Sequence, residues 1–314
     1  MTDLSIHTPA GTAPARILDA EAGPAGECFD IGGRRLWLRR AGAEGPTVVF
    51  LPGAGLVGLD YLNIQEAIVG FATAVLYDRA GTGWSAAARL PRPAAEVVDE
   101  LHALLAAAGA PAPYLLVGHS LGGAYARRFA QRYPDEVAAI LYLDPAHEDF
   151  YDAAPAPKLS LPEQLRGALA LARAALNMKR FYRPLFEAMY AAWPAQTRRR
   201  LVDYHLGAWR KSLDEGRNLK GEICEELRAG GPLPDVPVIV LTAMGIDPFM
   251  AAFAPEAYLR ALNAGKVGLY DALAASVTLG ENRLLPDAGH STLHTDRPDA
   301  VIAAIRDLIE RTRH

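Results

Sequence analysis

The sequence GHSLG at residues 118–122 constrains the fold of this chain more than any other feature. It ends an apolar run that begins at Tyr114 and predicts a buried strand, and apolar residues at helical spacing follow it as far as Pro134. A serine flanked by glycines in this context marks a sharp turn from strand to helix. We therefore predict that Ser120 lies at the carboxyl edge of a sheet and is a nucleophile. The alternative is a structural glycine turn that carries an incidental serine.

The pattern along the chain indicates an α/β fold with one helical insertion. Short apolar strands alternate with helical stretches over residues 28–149 and again over 232–314, which we predict to form the core. Residues 150–231 are rich in Ala, Leu, Arg and aromatic residues and contain no convincing strand, which predicts a helical cap. Residues 1–27 lack the basic start and continuous apolar segment of a secretory signal and are expected to be a loose amino-terminal extension.

Composition narrows the expected partners and location. The formal net charge of -4 gives no clustered basic field that would bind nucleic acid or an anionic membrane surface. No apolar stretch approaches the roughly eighteen residues of a membrane span, so we expect a soluble, cytoplasmic protein. The two cysteines, Cys28 and Cys224, lie far apart without metal-ligand spacing and are expected to be free thiols. Neither a metal nor an oligomeric state is indicated.

A serine hydroxyl needs a neighbouring base to become a nucleophile at neutral pH. His290 follows the last predicted strand in a Gly-His context, which places it at the same sheet edge as Ser120. We therefore predict that His290 is the base; the alternative is a loop histidine bonded to a backbone carbonyl. His294 competes for the role but lies beside the start of the last helix, where a structural role is expected. His119 precedes the serine on the strand and is expected to pack in the turn.

Two aspartates are candidates for the acid that orients the base. Asp144 directly follows the strand after the nucleophile's helix, and Asp247 lies in the loop after the next strand. Both satisfy the order serine, acid, histidine, and both are expected at the carboxyl edge of the sheet. We favour Asp144 because a strand end is held more rigidly than a loop. Asp247 is then expected to cap or brace its own loop, and the opposite assignment stays open.

Acyl transfer also needs two N–H donors for the oxyanion that develops during the reaction. The backbone N–H of Leu121, at the start of the helix, is one candidate. The other is Ala54 N–H, in the glycine-flanked loop after the predicted strand 47–51. The alternative is a glycine turn without catalytic importance. Neither this loop nor the Gly-Thr-Gly at residues 81–83 continues as a dinucleotide-binding sequence, so no cofactor is expected.

Several motifs together resemble those of the α/β-hydrolase superfamily. They are LPGAG at 51–55, YDRAGTGWS at 77–85, VGHSLGG at 117–123, YPDEV at 133–137 and AGH at 288–290. The resemblance runs from about residue 29 to the end. It implies an α/β-hydrolase fold, with a mostly parallel central sheet flanked by helices and a helical cap, of the esterase-like branch that uses a serine. Relatives place the acid at either position considered above, so Asp144 and Asp247 both remain candidates.

The resemblance also implies roles for individual residues. Ser120 corresponds to the nucleophile, His290 to the general base, and Ala54 and Leu121 to the oxyanion donors. Pro52 stands where many relatives carry histidine. A serine at the turn, rather than an aspartate, argues against the epoxide hydrolase and haloalkane dehalogenase branches.

The function expected from the sequence is cofactor-independent hydrolysis of a small, apolar carboxylic ester through an acyl-enzyme intermediate. The same residues would also serve carbon–carbon, amide or lactone hydrolysis. A ligand receptor that retains the fold without catalysis is the alternative from another class. The presence of both Ser120 and His290 counts against that alternative.

Overall fold

One eight-stranded sheet forms the centre of the computed structural model, which describes residues 26–42, 44–153 and 159–313. The strands are β1 (Glu27–Asp30), β2 (Arg35–Ala41), β3 (Thr47–Leu51), β4 (Thr73–Tyr77), β5 (Tyr114–His119), β6 (Val137–Leu143), β7 (Val238–Ala243) and β8 (Gly280–Leu285). Their order is β1-β2-β4-β3-β5-β6-β7-β8. The pairs β1–β2 and β2–β4 are antiparallel and all others are parallel. The predicted extension, residues 1–27, lies outside the described residues except for its last two.

Helices flank this sheet. In chain order they are α1 (Leu62–Ile68), α2 (Ala94–Ala107), α3 (Leu121–Arg132), α4 (Phe150–Ala153), α5 (Leu161–Leu176), α6 (Met178–Met189), α7 (Ala195–Glu215), α8 (Cys224–Ala229), α9 (Glu256–Ala275), α10 (Leu293–Asp296) and α11 (Pro298–Arg311). Single turns of other helix types lie at Gly58–Tyr61, Pro134–Glu136 and Leu219–Ile223. The predicted fold class, a mostly parallel sheet flanked by helices, is confirmed. Within the described ranges, no helix combines the length and apolarity needed to cross a membrane.

The middle strands are apolar because both of their faces are covered. Every residue of β3, β4, β5 and β7 is buried, as expected for parallel strands between two helical layers. Successive side chains on a strand point to opposite faces. Val48 and Phe50 accordingly pack in one cluster with α1 and α11, while Val49 and Leu51 pack in a second cluster with α2, α3 and α9.

The register of the parallel strands brings their carboxyl ends together. Leu51 at the end of β3 pairs with Gly118 of β5, and His119 pairs with Leu143 at the end of β6. Leu143 pairs in turn with Leu241 of β7. The loops that follow these strands carry the predicted site residues, and they are therefore neighbours at one edge of the sheet.

The chain between β6 and β7 carries helices α4 to α8 and, in its described parts, no strand. Two aromatic residues after α6 join this insertion to the core. Tyr190 donates its hydroxyl hydrogen to Asp60 (2.7 Å), and the indole N–H of Trp193 donates to the carbonyl of Leu59 (2.9 Å). Both aromatic side chains are buried in the cluster that contains α1. The insertion thus packs against the segment that follows β3.

Candidate active site

Ser120 lies between the last residue of β5 and the first residue of α3, with φ 51° and ψ -121°. Residues other than glycine rarely adopt a positive φ, so the turn is as sharp as the sequence predicts. Close packing explains the two flanking glycines. A Cβ at Gly118 would lie 2.7 Å from the carbonyl oxygen of Gly122, and one at Gly122 would lie 1.9 Å from that of Leu51. Larger residues at either position would push the strand and helix apart.

His290 bridges the serine and one of the two candidate acids. Its Nε2 lies 3.0 Å from Ser120 Oγ, and its Nδ1 lies 2.6 Å from Asp144 Oδ2. An ionised carboxylate can only accept, so Nδ1 carries the hydrogen and Nε2 is free to accept the serine proton. The imidazole is 41% exposed, whereas the Asp144 side chain is 3% exposed. The three side chains predicted as nucleophile, base and favoured acid are thus in hydrogen-bond contact.

Asp144 directly follows β6 and holds three donors. Its Oδ1 accepts the N–H of Ala243 at 3.0 Å. Its Oδ2 accepts both the His290 hydrogen and an N–H of the buried Lys266 ammonium, at 2.9 Å. Burial by itself raises the pKa of this carboxyl, but Lys266 and His290 outweigh it and hold the pKa at about 2. Asp144 is therefore charged at neutral pH. Lys266 was not predicted from the sequence.

Among the described residues, the Asp247 carboxylate accepts hydrogen bonds only from backbone groups. Its Oδ1 accepts the N–H groups of Phe249 and Met250, both at 2.9 Å, and its Oδ2 accepts the N–H of Ser291 at 2.5 Å. These bonds close the turn after residue 247 and join it to the residue that follows His290. The carboxylate makes no hydrogen bond to an imidazole nitrogen in the described part of the chain. Its contacts are those of a loop brace.

The loop after β3 packs directly against the nucleophile. A Cβ at Gly53 would lie 3.3 Å from that of Ser120, so the two backbones are adjacent. The neighbouring N–H of Ala54 donates to no acceptor among the described residues. Leu121, the second predicted donor, is the first residue of α3. Both predicted oxyanion donors therefore lie beside Ser120.

A buried ion pair, not predicted from the sequence, holds this loop. Arg79 donates through its two terminal nitrogens to the carbonyls of Pro52 (2.6 Å) and Gly53 (2.8 Å), and through Nε to Glu215 (2.6 Å). Glu215, the last residue of α7, accepts the N–H of Gly55 at 2.7 Å with its other oxygen. The insertion thus reaches the loop through one carboxylate. Arg79 lies in the YDRAGTGWS motif, which offered a signal, whereas nothing in the local sequence distinguishes Glu215.

The other two histidines near the serine are buried and neutral. His119 donates from Nε2 to the backbone carbonyl of His290 and accepts the Tyr61 hydroxyl hydrogen at Nδ1, both at 2.8 Å. Burial lowers its pKa to about 3. His119 thus holds the loop that carries His290. The sequence predicted only that His119 packs in the turn, and it did not predict this hydrogen bond. His294 packs against Tyr61, burial lowers its pKa to about 4, and it has no hydrogen bond to Ser120.

A cavity of about 270 Å³ opens beside Ser120 and His290. Most of its wall is apolar. The large apolar and aromatic residues that line it are Phe150, Leu219, Met250, Leu259, Leu262 and Tyr270. The first two belong to the insertion and the last three to α9, so the insertion and the core both contribute to the cavity.

One group of side chains among the described residues has the spacing of metal ligands. His147, Glu148 and Asp149 bring one ligand atom each within 4.8 Å of the others. However, Arg127 pairs with Glu148 at 2.8 Å and Arg228 pairs with Asp149 at 3.0 Å. Since both carboxylates already have cationic partners, we infer no metal site from this group.

Comparison with known proteins identifies the family. A profile of the Alpha/beta hydrolase family matches residues 48–304. This is most of the chain, which therefore belongs to the α/β-hydrolase family.

Individual relatives match shorter parts. Uncharacterized protein YbdG of Bacillus subtilis is 29% identical over 121 residues, which are 38% of this chain and 37% of that protein. The pimeloyl-(acyl-carrier protein) methyl ester esterase of Chromobacterium violaceum is 39% identical over 97 residues, 31% of this chain and 36% of the relative. The chain thus matches little more than a third of the length of these proteins. A solved thermophilic esterase from Thermogutta terrifontis superposes with a TM-score of 0.59 at 18% identity, over 90% of this chain and 95% of its own.

Proposed function

We propose that the protein is a serine hydrolase that cleaves carboxylic esters through an acyl-enzyme intermediate. The observation that carries the proposal is the position of His290, within 3.0 Å of Ser120 Oγ on one side and 2.6 Å of Asp144 on the other. Serine catalysis needs three components: a hydroxyl, an imidazole that can accept the hydroxyl proton, and a charged carboxylate that holds the imidazole from its other side.

Acylation follows from this geometry. Ser120 Oγ attacks the ester carbonyl carbon while its proton passes to Nε2 of His290, and an O–C bond forms. Asp144 stabilises the resulting imidazolium because it is already ionised. The tetrahedral intermediate then collapses, the bond from carbon to the alcohol oxygen breaks, and His290 returns the proton to the departing alcohol. The acyl group is left on Ser120.

Deacylation repeats these steps with water. His290 removes a proton from water, whose oxygen attacks the acyl carbon. The bond to Ser120 Oγ breaks, the serine recovers its proton from His290, and the carboxylic acid is released. In both halves the negative oxygen would lie between the N–H groups of Ala54 and Leu121. The N–H of Ala54, which has no acceptor in the described part of the chain, supports this assignment because such a group is free to bind an oxyanion.

The cavity supports an apolar acyl group as the preferred substrate. Its wall is mostly apolar, and the insertion that would cap it, residues 150–231, contributes Phe150 and Leu219. The named activity of the Chromobacterium violaceum relative, a methyl ester esterase, also supports an ester. Each buried methylene contributes about 0.8 kcal/mol. We therefore expect kcat/KM to rise about threefold to fourfold per methylene until the cavity is filled.

The test uses p-nitrophenyl esters with acyl chains of graded length, together with an anilide and a lactone of matched size. We expect a burst of p-nitrophenol equal to the enzyme concentration, faster turnover of esters than of the anilide, and no turnover by Ser120→Ala. If the protein hydrolysed only the lactone or only the anilide, the proposed substrate class would change from esters to lactones or to amides. Absence of turnover with every compound would refute the proposal and favour a non-catalytic receptor.

A further inference from the structure

Lys266 is a buried cation beside the proposed catalytic residues. It lies on α9, its side chain is 4% exposed, and its Nζ is 2.9 Å from Asp144 Oδ2. The same oxygen accepts the Nδ1 hydrogen of His290 at 2.6 Å. The Lys266 ammonium group and the imidazole that would accept a proton during the reaction therefore share one carboxylate oxygen.

The position of Lys266 is otherwise suited to an apolar residue. The buried face of α9 consists mainly of Leu259, Tyr270, Leu273 and Ala274. Burying an ammonium group is unfavourable unless a charged partner compensates for it. The partner is Asp144, which lies 122 residues earlier in the chain. The lysine is thus explained by its contact with the carboxylate and not by the packing of the helix.

Apart from Lys266 and His290, no titratable side chain among the described residues makes a hydrogen bond to this carboxylate, although several lie near it. They are Tyr270 on α9, His119 at the end of β5, Asp247 in the loop after β7, and His147 in the loop after β6. Tyr270 donates to the Pro145 carbonyl at 2.6 Å, and burial raises its pKa well above the usual value. Burial keeps His119 neutral and also lowers the pKa of His147. Within the described ranges, the Asp247 carboxylate accepts only backbone N–H groups.

We propose that Lys266 is a positioning residue that partly neutralises Asp144 and thereby extends the activity of the Ser120–His290 pair to lower pH. The inference rests on the function proposed above. An uncompensated carboxylate would favour the protonated imidazole, which cannot accept the serine proton. The ammonium group of Lys266, 2.9 Å from the same carboxylate, opposes that protonation. It also leaves Asp144 able to orient the imidazole through Nδ1.

The experiment measures the rate of modification of Ser120 by a fluorophosphonate as a function of pH in the full chain. This reaction needs the activated serine but no particular substrate. Lys266→Gln removes the charge and keeps a hydrogen-bond donor, and Lys266→Arg keeps the charge. We expect the midpoint of the acidic limb to rise by about one pH unit in Lys266→Gln and to stay near wild type in Lys266→Arg.

Tyr270→Phe is the matched control. It removes a buried hydrogen bond one helical turn further along α9 without changing any charge near Asp144. A lower modification rate or a lower stability of this variant is compatible with the inference, but the midpoint of its acidic limb should equal that of the wild type. Lys266→Met, with an apolar side chain of similar length, serves if Lys266→Gln does not fold, and its midpoint should also rise.

An unchanged midpoint in the folded, neutral variant at position 266 would overturn the inference, as would an equal shift in Tyr270→Phe. Failure of the proposed function is a separate result. It would show as a wild-type protein in which the probe does not modify Ser120 at any pH.

Discussion

The loops after β6 and β7 each place an aspartate at the same sheet edge, but the two carboxylates have different partners. Asp144 is held by one backbone N–H and by the side chains of His290 and Lys266. Asp247 is also buried, and among the described residues its carboxylate makes three hydrogen bonds, all to backbone N–H groups. The two aspartates are therefore both buried at the same sheet edge, and they differ in the type of hydrogen-bond donor that contacts the carboxylate. An orienting acid needs an imidazole partner, which only Asp144 has among these two.

The backbone explains why the partners differ. Asp144 follows β6 without an intervening residue, its N–H donates to the carbonyl of Leu241 in β7, and its φ is 46°. This unusual conformation holds the side chain between β7 and the loop of His290. Asp247 lies four residues beyond the end of β7, where the chain has already turned. Its carboxylate therefore lies beside the N–H groups of its own turn, those of Phe249 and Met250, and accepts hydrogen bonds from them.

The strongest test of this difference is Asp144→Asn. The amide is neutral, and hydrogen bonding to it favours the wrong imidazole tautomer, so we expect kcat to fall by about ten-thousand-fold. Steady-state kinetics with the best p-nitrophenyl ester would measure the effect, and a near-wild-type circular dichroism spectrum would show that the fold persists. A loss below about tenfold in kcat would move the role of acid away from Asp144.

Glu215→Gln extends the comparison to a third buried carboxylate. Glu215 is ion-paired like Asp144, but its partners are Arg79 and the N–H of Gly55, so it bears on the oxyanion loop instead of the imidazole. We expect kcat to fall by about a hundredfold, since a displaced donor weakens binding of the oxyanion, with little change in KM.

The control for Glu215→Gln is Glu226→Gln. Glu226 also accepts two backbone N–H groups, those of Ala94 and Ala95, but these belong to the start of α2. Its kcat should stay near wild type. Equal losses in the two variants, or a change in KM alone for Glu215→Gln, would show that Glu215 does not act through the oxyanion loop.

Asp247→Asn should have the smallest effect on turnover. The amide keeps one acceptor oxygen and loses the other, which weakens the turn and its bond to Ser291. We expect the free energy of unfolding to fall by about 1–3 kcal/mol and kcat to fall by less than about tenfold. Denaturant unfolding and steady-state kinetics on the same preparation measure both. A loss of kcat as large as that of Asp144→Asn at unchanged stability would reverse the assignment of the two aspartates.

The parts of the site that sequence alone predicts are those encoded locally. The glycines around Ser120 and the Gly-His that contains His290 mark their own turns, and the alternation of strands indicates the fold. The choice of acid followed only from the general rigidity of strand ends. Lys266 and the pair Arg79–Glu215 depend on contacts between segments 122 and 136 residues apart, which a local pattern does not encode. The available signals were a lysine on the otherwise apolar face of α9 and, for Arg79, its place in the YDRAGTGWS motif.

Every step proposed for this site depends on Ser120 being a nucleophile that His290 activates. Reaction with a fluorophosphonate at pH 8, followed by mass spectrometry of peptides, tests it most directly, with His290→Ala as the comparison. We predict one adduct, on Ser120, in the wild-type protein and a rate at least about a thousandfold lower in His290→Ala, whose serine is intact. An adduct on another residue would show that Ser120 is not the nucleophile, and modification of His290→Ala at the wild-type rate would show that His290 does not activate it.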